Sequence, residues 1–303
     1  MSSQLSEEDN AFKQECRSNQ LYRKIGDGTG GTVWSSLQGS TAIKRRSQHV
    51  PREWLQNDYQ KHRLILQSLE QCPRRLVNLA VPKCHAFIPR TYPSWEEDQR
   101  FMFRFPDRHL SYDILITERI PPMPDLVRQD LIENYSPKYL KKEEKQSLNQ
   151  TEDERITEKM AKEEKEKNQN CLIRPYLVPR EDIREGPLPM VSGLRNVPLD
   201  ADQLLTFVGT HMVRIYAFNM AWVLATLHWI ARVDASGIEF VLALPRQPPP
   251  PPSVHEGPYC LWLLDFDKCR TMSMDQAGVE QAAQAFQRND PYYPRPGNKA
   301  KEL

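Results

Sequence analysis

A glycine-rich segment near the beginning of the chain, followed by a lysine, has the composition of a phosphate-binding site. Residues 26–33 read Gly-Asp-Gly-Thr-Gly-Gly-Thr-Val, and Ala42-Ile43-Lys44 follows. Glycines let a backbone approach a phosphate closely and turn with positive φ, and a lysine ammonium neutralises phosphate charge. Apolar residues flank the segment, so it predicts a hairpin between two strands with Lys44 on the next strand. An ordinary hairpin beside a surface lysine has the same composition.

Acidic residues in the second half of the chain extend this pattern into one that resembles the motifs of protein kinases. Asp234 precedes Glu239 by five residues, and an apolar run ends in Asp265-Phe266-Asp267. The resemblance implies that Lys44 contacts the phosphates of ATP and that Asp234 positions or deprotonates an acceptor hydroxyl. It also implies that Asp265 and Glu239 hold Mg²⁺ or Mn²⁺, for which carboxylate oxygens are suitable ligands.

The same resemblance implies further contacts with the nucleotide. In kinases an acidic residue on the helix after the lysine strand orients that lysine; Asp58 is the expected residue here, with Glu53 as the alternative. Asp58 is equally compatible with a solvated surface charge. Glu118 and Ile120 are expected to offer backbone groups to adenine. The residues expected over the phosphates are Gly26, Gly28, Gly31 and Val33.

Several longer phrases of the sequence are similar to a fungal family of unknown function with protein-kinase-like motifs. They are Thr-Glu-Arg-Ile-Pro-Pro (117–122), Leu-His-Trp (227–229), Ile-Glu-Phe-Val-Leu-Ala (238–243), Leu-Asp-Phe-Asp-Lys-Cys-Arg (264–270) and Asn-Asp-Pro-Tyr-Tyr-Pro-Arg-Pro (289–296). The similarity extends from about Cys16 to Pro296. It implies a kinase-like fold but brings no established activity with it.

The elements that must position these residues predict an α+β, two-lobed kinase-like fold. We expect a small, mostly β N-lobe and a shortened, mostly helical C-lobe built around an apolar helix at 212–230. A helix at 51–69 should follow the lysine strand, since proline suits its first turn. The expected segments are a tail at 1–15, the N-lobe at 16–118, a hinge at 119–124, an insert at 125–200, the C-lobe at 201–296 and a tail at 297–303.

Two segments of biased composition interrupt this plan. Residues 138–170 carry alternating charges, which is typical of an exposed helix or of a solvated, partly disordered insert. Residues 248–252 are five prolines, which predicts an extended polyproline II spacer or a ligand for an SH3- or WW-type domain.

Composition excludes several classes of protein. The net charge of +1 favours neither nucleic acid nor an anionic membrane, and no apolar run has the length of a membrane span. The polar, acidic first ten residues are not typical of a secretory or transit peptide, so we expect a protein of the cytoplasm or the nucleus. The six cysteines contain no Cys-x-x-Cys pair, which indicates reduced thiols.

Departures from the kinase pattern leave three functions open. Arg232-Val233 stands where kinases have His-Arg, Glu239 where they have Asn, and Asp267 where they have Gly. Too few residues follow Asp267 for a peptide-binding activation segment, and the Asp-Phe-acid pattern also resembles choline- and ethanolamine-kinase-like enzymes. The candidates are an ATP- and metal-dependent phosphotransferase acting on a small-molecule hydroxyl, a pseudokinase that binds a protein partner, and a non-catalytic accessory protein of a fungal biosynthetic pathway.

Overall fold

The protein is a mixed α+β structure, and the computed structural model describes residues 20–28, 30–37, 39–47, 49–72, 76–91, 103–106, 113–135, 168–180, 183, 194, 196–247 and 259–295. These residues contain two five-stranded sheets and four α-helices. The expected tails at 1–15 and 297–303, the proline run and nearly all of the charged segment lie outside them. In chain order the strands and helices are β1 (Tyr22–Gly28), β2 (Gly31–Ser36), β3 (Thr41–Arg46), α1 (Arg52–Glu70), β4 (Leu79–Ala80), β5 (Cys84–Ile88), β6 (Ile114–Glu118), α2 (Asp125–Asp130), β7 (Ile173–Pro175), β8 (Val197–Leu199), α3 (Ala201–Trp229), β9 (Glu239–Ala243), β10 (Cys260–Leu264) and α4 (Gln276–Arg288).

The first sheet is antiparallel, with the strand order β1-β2-β3-β6-β5. Its apolar residues alternate along the strands, so one face can be buried. Tyr22, Trp34 and Ile43 on that face pack with Phe105, whose ring centroid lies 4.7 Å from that of Tyr22. The opposite face is therefore free to present polar side chains to the rest of the molecule.

Helix α1 begins after Pro51, whose fixed φ suits a helix start and whose missing N–H costs nothing there. The sequence predicts a buried side formed by Trp54, Leu55, Leu66 and Leu69, and Leu55 is buried, but Trp54 is 37 % exposed. The buried stripe also contains three polar residues, Asp58, His62 and Ser68. They occupy the inner face of α1, where packing alone would favour apolar ones.

The second sheet has the order β4-β10-β9-β7-β8, and helix α3 packs against it. Asp200 begins α3 with a capping box, in which its carboxylate accepts from the N–H of Gln203 and the Gln203 side chain accepts from the N–H of Asp200. Gly209, with φ of 77°, kinks the helix. None of the described helices has the length and apolarity needed to cross a lipid bilayer.

The segment 125–200, expected to be an insert with short strands at 171–177 and 191–197, contributes to the second sheet. Its strands β7 and β8 belong to that sheet, and Ile173 and Leu199 are fully buried. The second half of the chain therefore has a sheet at its centre as well as helices, because these short apolar strands complete the sheet on which α3 lies.

Candidate functional site

Lys44 lies at the centre of a cluster of three carboxylates between the two sheets. Its ammonium nitrogen is 2.6 Å from Asp58 Oδ2, 2.7 Å from Asp265 Oδ1 and 3.4 Å from Asp267 Oδ2. We call these four residues the lysine cluster. The structure therefore brings together Lys44, Asp58 and Asp265 as the sequence predicts, and it adds Asp267.

The lysine cluster has more negative than positive groups. Burial alone would lower the pKa of Lys44, but attraction to the three carboxylates outweighs burial and holds that pKa well above its ordinary value. Burial raises the pKa of Asp58 and of Asp267, and repulsion from Asp265 adds to both increases. The cluster is thus an electrostatic environment that favours additional cations.

The glycine hairpin can lie close over the lysine cluster because glycine stands at two positions where a side chain would collide with neighbouring atoms. Gly31 has φ of 150°, and a Cβ atom there would lie 2.1 Å from the carbonyl oxygen of Arg45. A Cβ atom on Gly30 would lie 2.5 Å from Asp267 Oδ2. Any other residue at these positions would force the hairpin away from β3 or from Asp267.

The inner face of α1 supplies the partners of the lysine cluster. Asp58 faces Lys44, and its second oxygen accepts from the N–H of Phe266 at 3.2 Å. Asn57 donates to the carbonyl oxygens of Asp267 and Cys269, each at 2.9 Å. Helix α1 therefore holds the segment after β10 by its backbone while it orients Lys44 by charge.

Asp265 has a backbone conformation that few non-glycine residues adopt. Its φ of 65° lies in the left-handed region, at the point where the chain leaves β10. The following Phe266 is buried, and its ring lies 4.9 Å from the ring of His62. Strain of this kind persists where surrounding contacts impose it, and it is concentrated at functional sites.

A cavity of about 670 Å³ extends from the lysine cluster along the edge of the first sheet. Its apolar lining includes Ala42 and Leu115 of the first sheet and Leu172 and Leu264 beside the second. Apolar walls with a few polar groups are typical of small-molecule sites. The predicted nucleotide and metal residues that line it are Gly26, Gly28, Gly31, Val33, Lys44, Asp58, Glu118, Ile120, Glu239 and Asp265.

Glu118 lines this cavity, but its side chain is already bound. Its two oxygens accept from Arg246 at 2.6 and 2.8 Å, and Oε2 also accepts from the backbone N–H of Lys83. The backbone N–H of Glu118 is engaged as well, because it donates to the carbonyl oxygen of Lys83 at 2.8 Å. The expected backbone contacts of Glu118 and Ile120 with adenine stay a prediction.

Asp234 lies apart from the lysine cluster, in a second cavity of about 840 Å³. Its Oδ1 accepts from the N–H groups of Ser236 and Arg270, and its Oδ2 accepts from the side chain of Gln281. Glu239, Asp267 and Lys268 line both cavities. The two cavities thus adjoin, with Asp234 facing the second one.

Asn289 fixes the loop that carries Asp234. Its amide nitrogen donates to the carbonyl oxygen of Ala235 at 2.8 Å, and its amide oxygen accepts from the N–H of Gly237 at 2.7 Å. Ala235 has φ of 55° and Gly237 has φ of 75°, so the loop needs such external hydrogen bonds.

Glu239 is an ion-pair partner rather than an open carboxylate. Arg174 donates to Glu239 Oε1 at 2.6 Å and to Asp290 Oδ2 at 2.7 Å, and Tyr176 also donates to Asp290. We call Arg174, Glu239 and Asp290 the arginine cluster. Burial raises the pKa of Glu239 to about 7, although Arg174 opposes the increase. The predicted metal ligand is therefore already neutralised by a residue that the sequence interpretation did not identify.

Other residues of the site were also missed by sequence reasoning. His62 lies on the buried stripe of α1, and its spacing of seven residues from Leu55 could have revealed it, whereas Asn57 lies beside that stripe. Asp267 appeared only as a departure from the kinase pattern, while Arg174 and Asn289 carry no local signal. His62 donates from Nε2 to the carbonyl oxygen of Pro82 at 2.7 Å.

The described residues contain no group of three or more histidines, cysteines or acidic residues arranged to hold a metal ion by themselves. Magnesium bound with a nucleotide usually takes one or two carboxylates, and phosphates and water complete its shell. Asp265 fits this requirement, because its side chain is 28 % exposed toward the cavity. Glu239 fits it poorly, because Arg174 occupies it.

Comparison with known proteins gives one family match, to DUF3669, described as "Zinc finger protein", over residues 261–302. No curated protein matches the chain, and no solved structure matches it. The assignment to a fungal protein-kinase-like family is therefore wrong, since the family found has a different description. The match covers too small a part of the chain to establish membership. The matched segment contains one cysteine, Cys269, and no histidine, so it cannot by itself provide the four ligands of a zinc finger.

Proposed function

We propose that this protein binds ATP with a divalent cation between its two sheets and transfers a phosphoryl group to the hydroxyl of a small molecule. The observation that carries the proposal is the position of Lys44, within 2.7 Å of both Asp58 and Asp265 and beneath a glycine hairpin. Lysine, carboxylate and glycine backbone are the groups that position phosphates and neutralise their charge. The proposal includes a kinase-like relation between the two lobes.

Each residue of the cleft has a distinct role in this proposal. Asp58 orients Lys44, and Lys44 contacts the phosphates. Asp265 binds the cation, which neutralises the charge of the phosphate oxygens when it is bound. The apolar walls of the cavity near Ala42 and Leu264 exclude water from the adenine base of the nucleotide.

Asp234 is the residue that would receive the acceptor. It faces the 840 Å³ cavity, which adjoins the phosphate end of the cleft, and Asn289 holds its loop in place. The Oδ2 atom accepts from Gln281, a flexible side chain, whereas both bonds to Oδ1 come from the backbone. An acceptor hydroxyl can therefore replace Gln281 at Oδ2 without disturbing the loop.

A second candidate function is nucleotide binding without catalysis, as in a pseudokinase that regulates a protein partner. The pairing of Glu239 with Arg174 favours it, because this position supplies no second open ligand on that side of the cleft. Both candidates require the lysine cluster. They differ in whether bound ATP is consumed.

Thermal unfolding with ATP, with and without Mg²⁺ or Mn²⁺, tests the proposal. Ligand at a hundred times its Kd stabilises a protein by about 2.7 kcal/mol, a shift of a few degrees in Tm. We expect a metal-dependent shift in the wild type that Asp265→Asn abolishes. Asp275→Asn, a matched change at a helix cap outside the cleft, should retain it.

Consumption of ATP then separates the two candidates. A phosphotransferase should form ADP, faster when the acceptor is present, and Asp234→Asn should stop this while leaving the thermal shift intact. Binding without ADP formation, together with a co-purifying partner, would favour the regulatory function. Absence of any shift in the wild type would contradict both.

A further inference from the structure

The carboxylate of Asp267 has an environment that the proposed roles leave unexplained. Its side chain is 4 % exposed, and its Oδ2 is 3.4 Å from the ammonium of Lys44. Its Oδ1 is buried and has no hydrogen-bond partner. A buried polar atom without a partner destabilises the folded state, so an atom that satisfies Oδ1 would stabilise the protein.

The excess of negative charge in the lysine cluster also favours an additional cation. One ammonium faces the three carboxylates of Asp58, Asp265 and Asp267, and the closest contacts of Lys44 are to the first two. Asp267 is therefore the least compensated of the three. A cation would lessen the repulsion between Asp267 and Asp265, which are two residues apart in the chain.

The backbone holds Asp265 and Asp267 on one side of the cleft. Phe266 between them is fixed by its N–H bond to Asp58 and by its contact with the ring of His62. Asn57 holds the carbonyl of Asp267, and Gly30 packs so closely against Asp267 Oδ2 that a Cβ atom there would lie 2.5 Å from it. Rigid positioning of this kind is what a metal site needs, since ligands must be held before the ion binds.

Glu239 is a poorer second ligand than Asp267. Arg174 donates to its Oε1 at 2.6 Å, and a metal at this oxygen would have to displace a guanidinium whose side chain is only 21 % exposed. Separating the partners of a largely buried ion pair is strongly destabilising. Asp267 offers a buried oxygen for which no bond must be broken.

We propose that Asp265 and Asp267 together are the protein's ligands for the divalent cation, and that Asp58 alone retains Lys44 when the cation is bound. This inference rests on the proposed nucleotide function and replaces Glu239 as the second ligand. Two carboxylates are the number that Mg²⁺ commonly takes in nucleotide sites, where phosphates and water supply the remaining oxygens.

Binding of Mn²⁺, followed by electron paramagnetic resonance with a non-hydrolysable ATP analogue, tests this assignment without relying on activity. The proteins compared are the wild type, Asp267→Asn, Glu239→Gln and Asp275→Asn. Loss of outer-shell metal partners alone costs about 10–100-fold in affinity, so we expect Asp267→Asn to weaken Mn²⁺ binding at least tenfold. Glu239→Gln and Asp275→Asn should remain close to the wild type.

A fluorescent nucleotide titrated without metal shows whether the cleft itself survives each change. Asp267→Asn should retain this metal-free binding, since Lys44 and the glycine hairpin are intact. Should Asp267→Asn fail to fold, Asp267→Ser provides the same test with a smaller side chain. Circular dichroism confirms the fold of each variant.

The possible results separate the inference from the function on which it rests. Normal Mn²⁺ binding in Asp267→Asn, or its loss in Glu239→Gln, would overturn the assignment while the nucleotide function stands. A wild type that binds neither nucleotide nor Mn²⁺ would overturn both.

Discussion

The lysine cluster and the arginine cluster are two buried groups of charged residues with opposite characters. Both place one cation among carboxylates near the same cleft, and Glu239 lines the cleft as Asp265 does. In the arginine cluster, one guanidinium uses separate nitrogens for Glu239 and Asp290. In the lysine cluster, one ammonium faces three carboxylates, so the excess of negative groups is larger. Each cluster contains a buried polar atom without a hydrogen-bond partner, which is Asp267 Oδ1 in the lysine cluster and Arg174 Nε in the arginine cluster.

The residues that cover the two clusters also differ. Aromatic rings cover the arginine cluster, with Tyr176 and Tyr292 at a centroid distance of 5.2 Å. A hairpin of glycines covers the lysine cluster, where a Cβ on Gly30 would not fit. If the proposed function holds, charge balance and covering, rather than burial alone, distinguish an ion pair that supports the fold from one that binds a ligand.

The largest effect that we expect comes from breaking the arginine cluster. Arg174→Met should leave Glu239 and Asp290 without their cation, and because their side chains are 23 % and 41 % exposed we expect the low end of the cost of breaking a buried pair, about 3 kcal/mol of stability. Urea unfolding measures this loss, and Arg174→Lys should restore part of it. Nucleotide binding by the folded fraction should persist. Loss of nucleotide binding with unchanged stability would contradict the assignment of the arginine cluster to stability and of the lysine cluster to binding.

The second effect comes from the lysine cluster and concerns binding. Lys44→Met removes the cation that contacts phosphate, so we expect nucleotide affinity to fall at least about 100-fold, or 2.7 kcal/mol. A fluorescent-nucleotide titration measures it, with Lys24→Met, an exposed lysine on the glycine hairpin, as the matched control. Equal affinity in both variants would contradict the proposed role of Lys44.

The smallest effect comes from His62, which joins the lysine cluster to the core. Burial lowers its pKa from 6.5 to about 4, so the folded state favours the neutral ring. A depressed histidine pKa gives stability that is present above pH 6.5 and is lost as the pH falls toward 4. This amounts to about 2 kcal/mol between pH 7 and pH 5. His62→Gln should remove this dependence.

The His62 comparison must be made as a difference between two proteins. Glu239 has a raised pKa of about 7, so its protonation favours the folded state as the pH falls, with the opposite sign. Both the wild type and His62→Gln contain Glu239, and subtracting their urea-unfolding curves at each pH isolates the histidine. Identical pH dependence in the two proteins would show that His62 is not held neutral.

Much of the local structure could be predicted from the sequence. The α+β class is confirmed, and α1 and α3 cover the segments expected to be helical to within one residue. The bounds of β7 and β8 within the segment 125–200 could not be predicted, because each strand is three residues long. A strand of that length has no measurable alternation, and only its neighbours in a sheet define it.

Within the candidate site, the residue types were visible in the sequence and their partners were only partly so. Gly26, Lys44 and Asp265 were identified because each belongs to a short motif, and the spacing of residues within such a motif is set by local backbone geometry. Asp267 was noted but given no function, and Arg174 was overlooked. No sequence pattern indicated that Arg174 would occupy the carboxylate of Glu239, 65 residues away.

The sequence by itself determined the hairpin of glycines, the strand position of Lys44 and the capped start of α3, since each depends on residues close together in the chain. Only the tertiary structure decided which acids surround Lys44. Asp265 is 221 residues from it, and Asp58 reaches it from the buried face of α1. Charge can be read from a residue type, but compensation of that charge depends on what packing brings within a few ångströms.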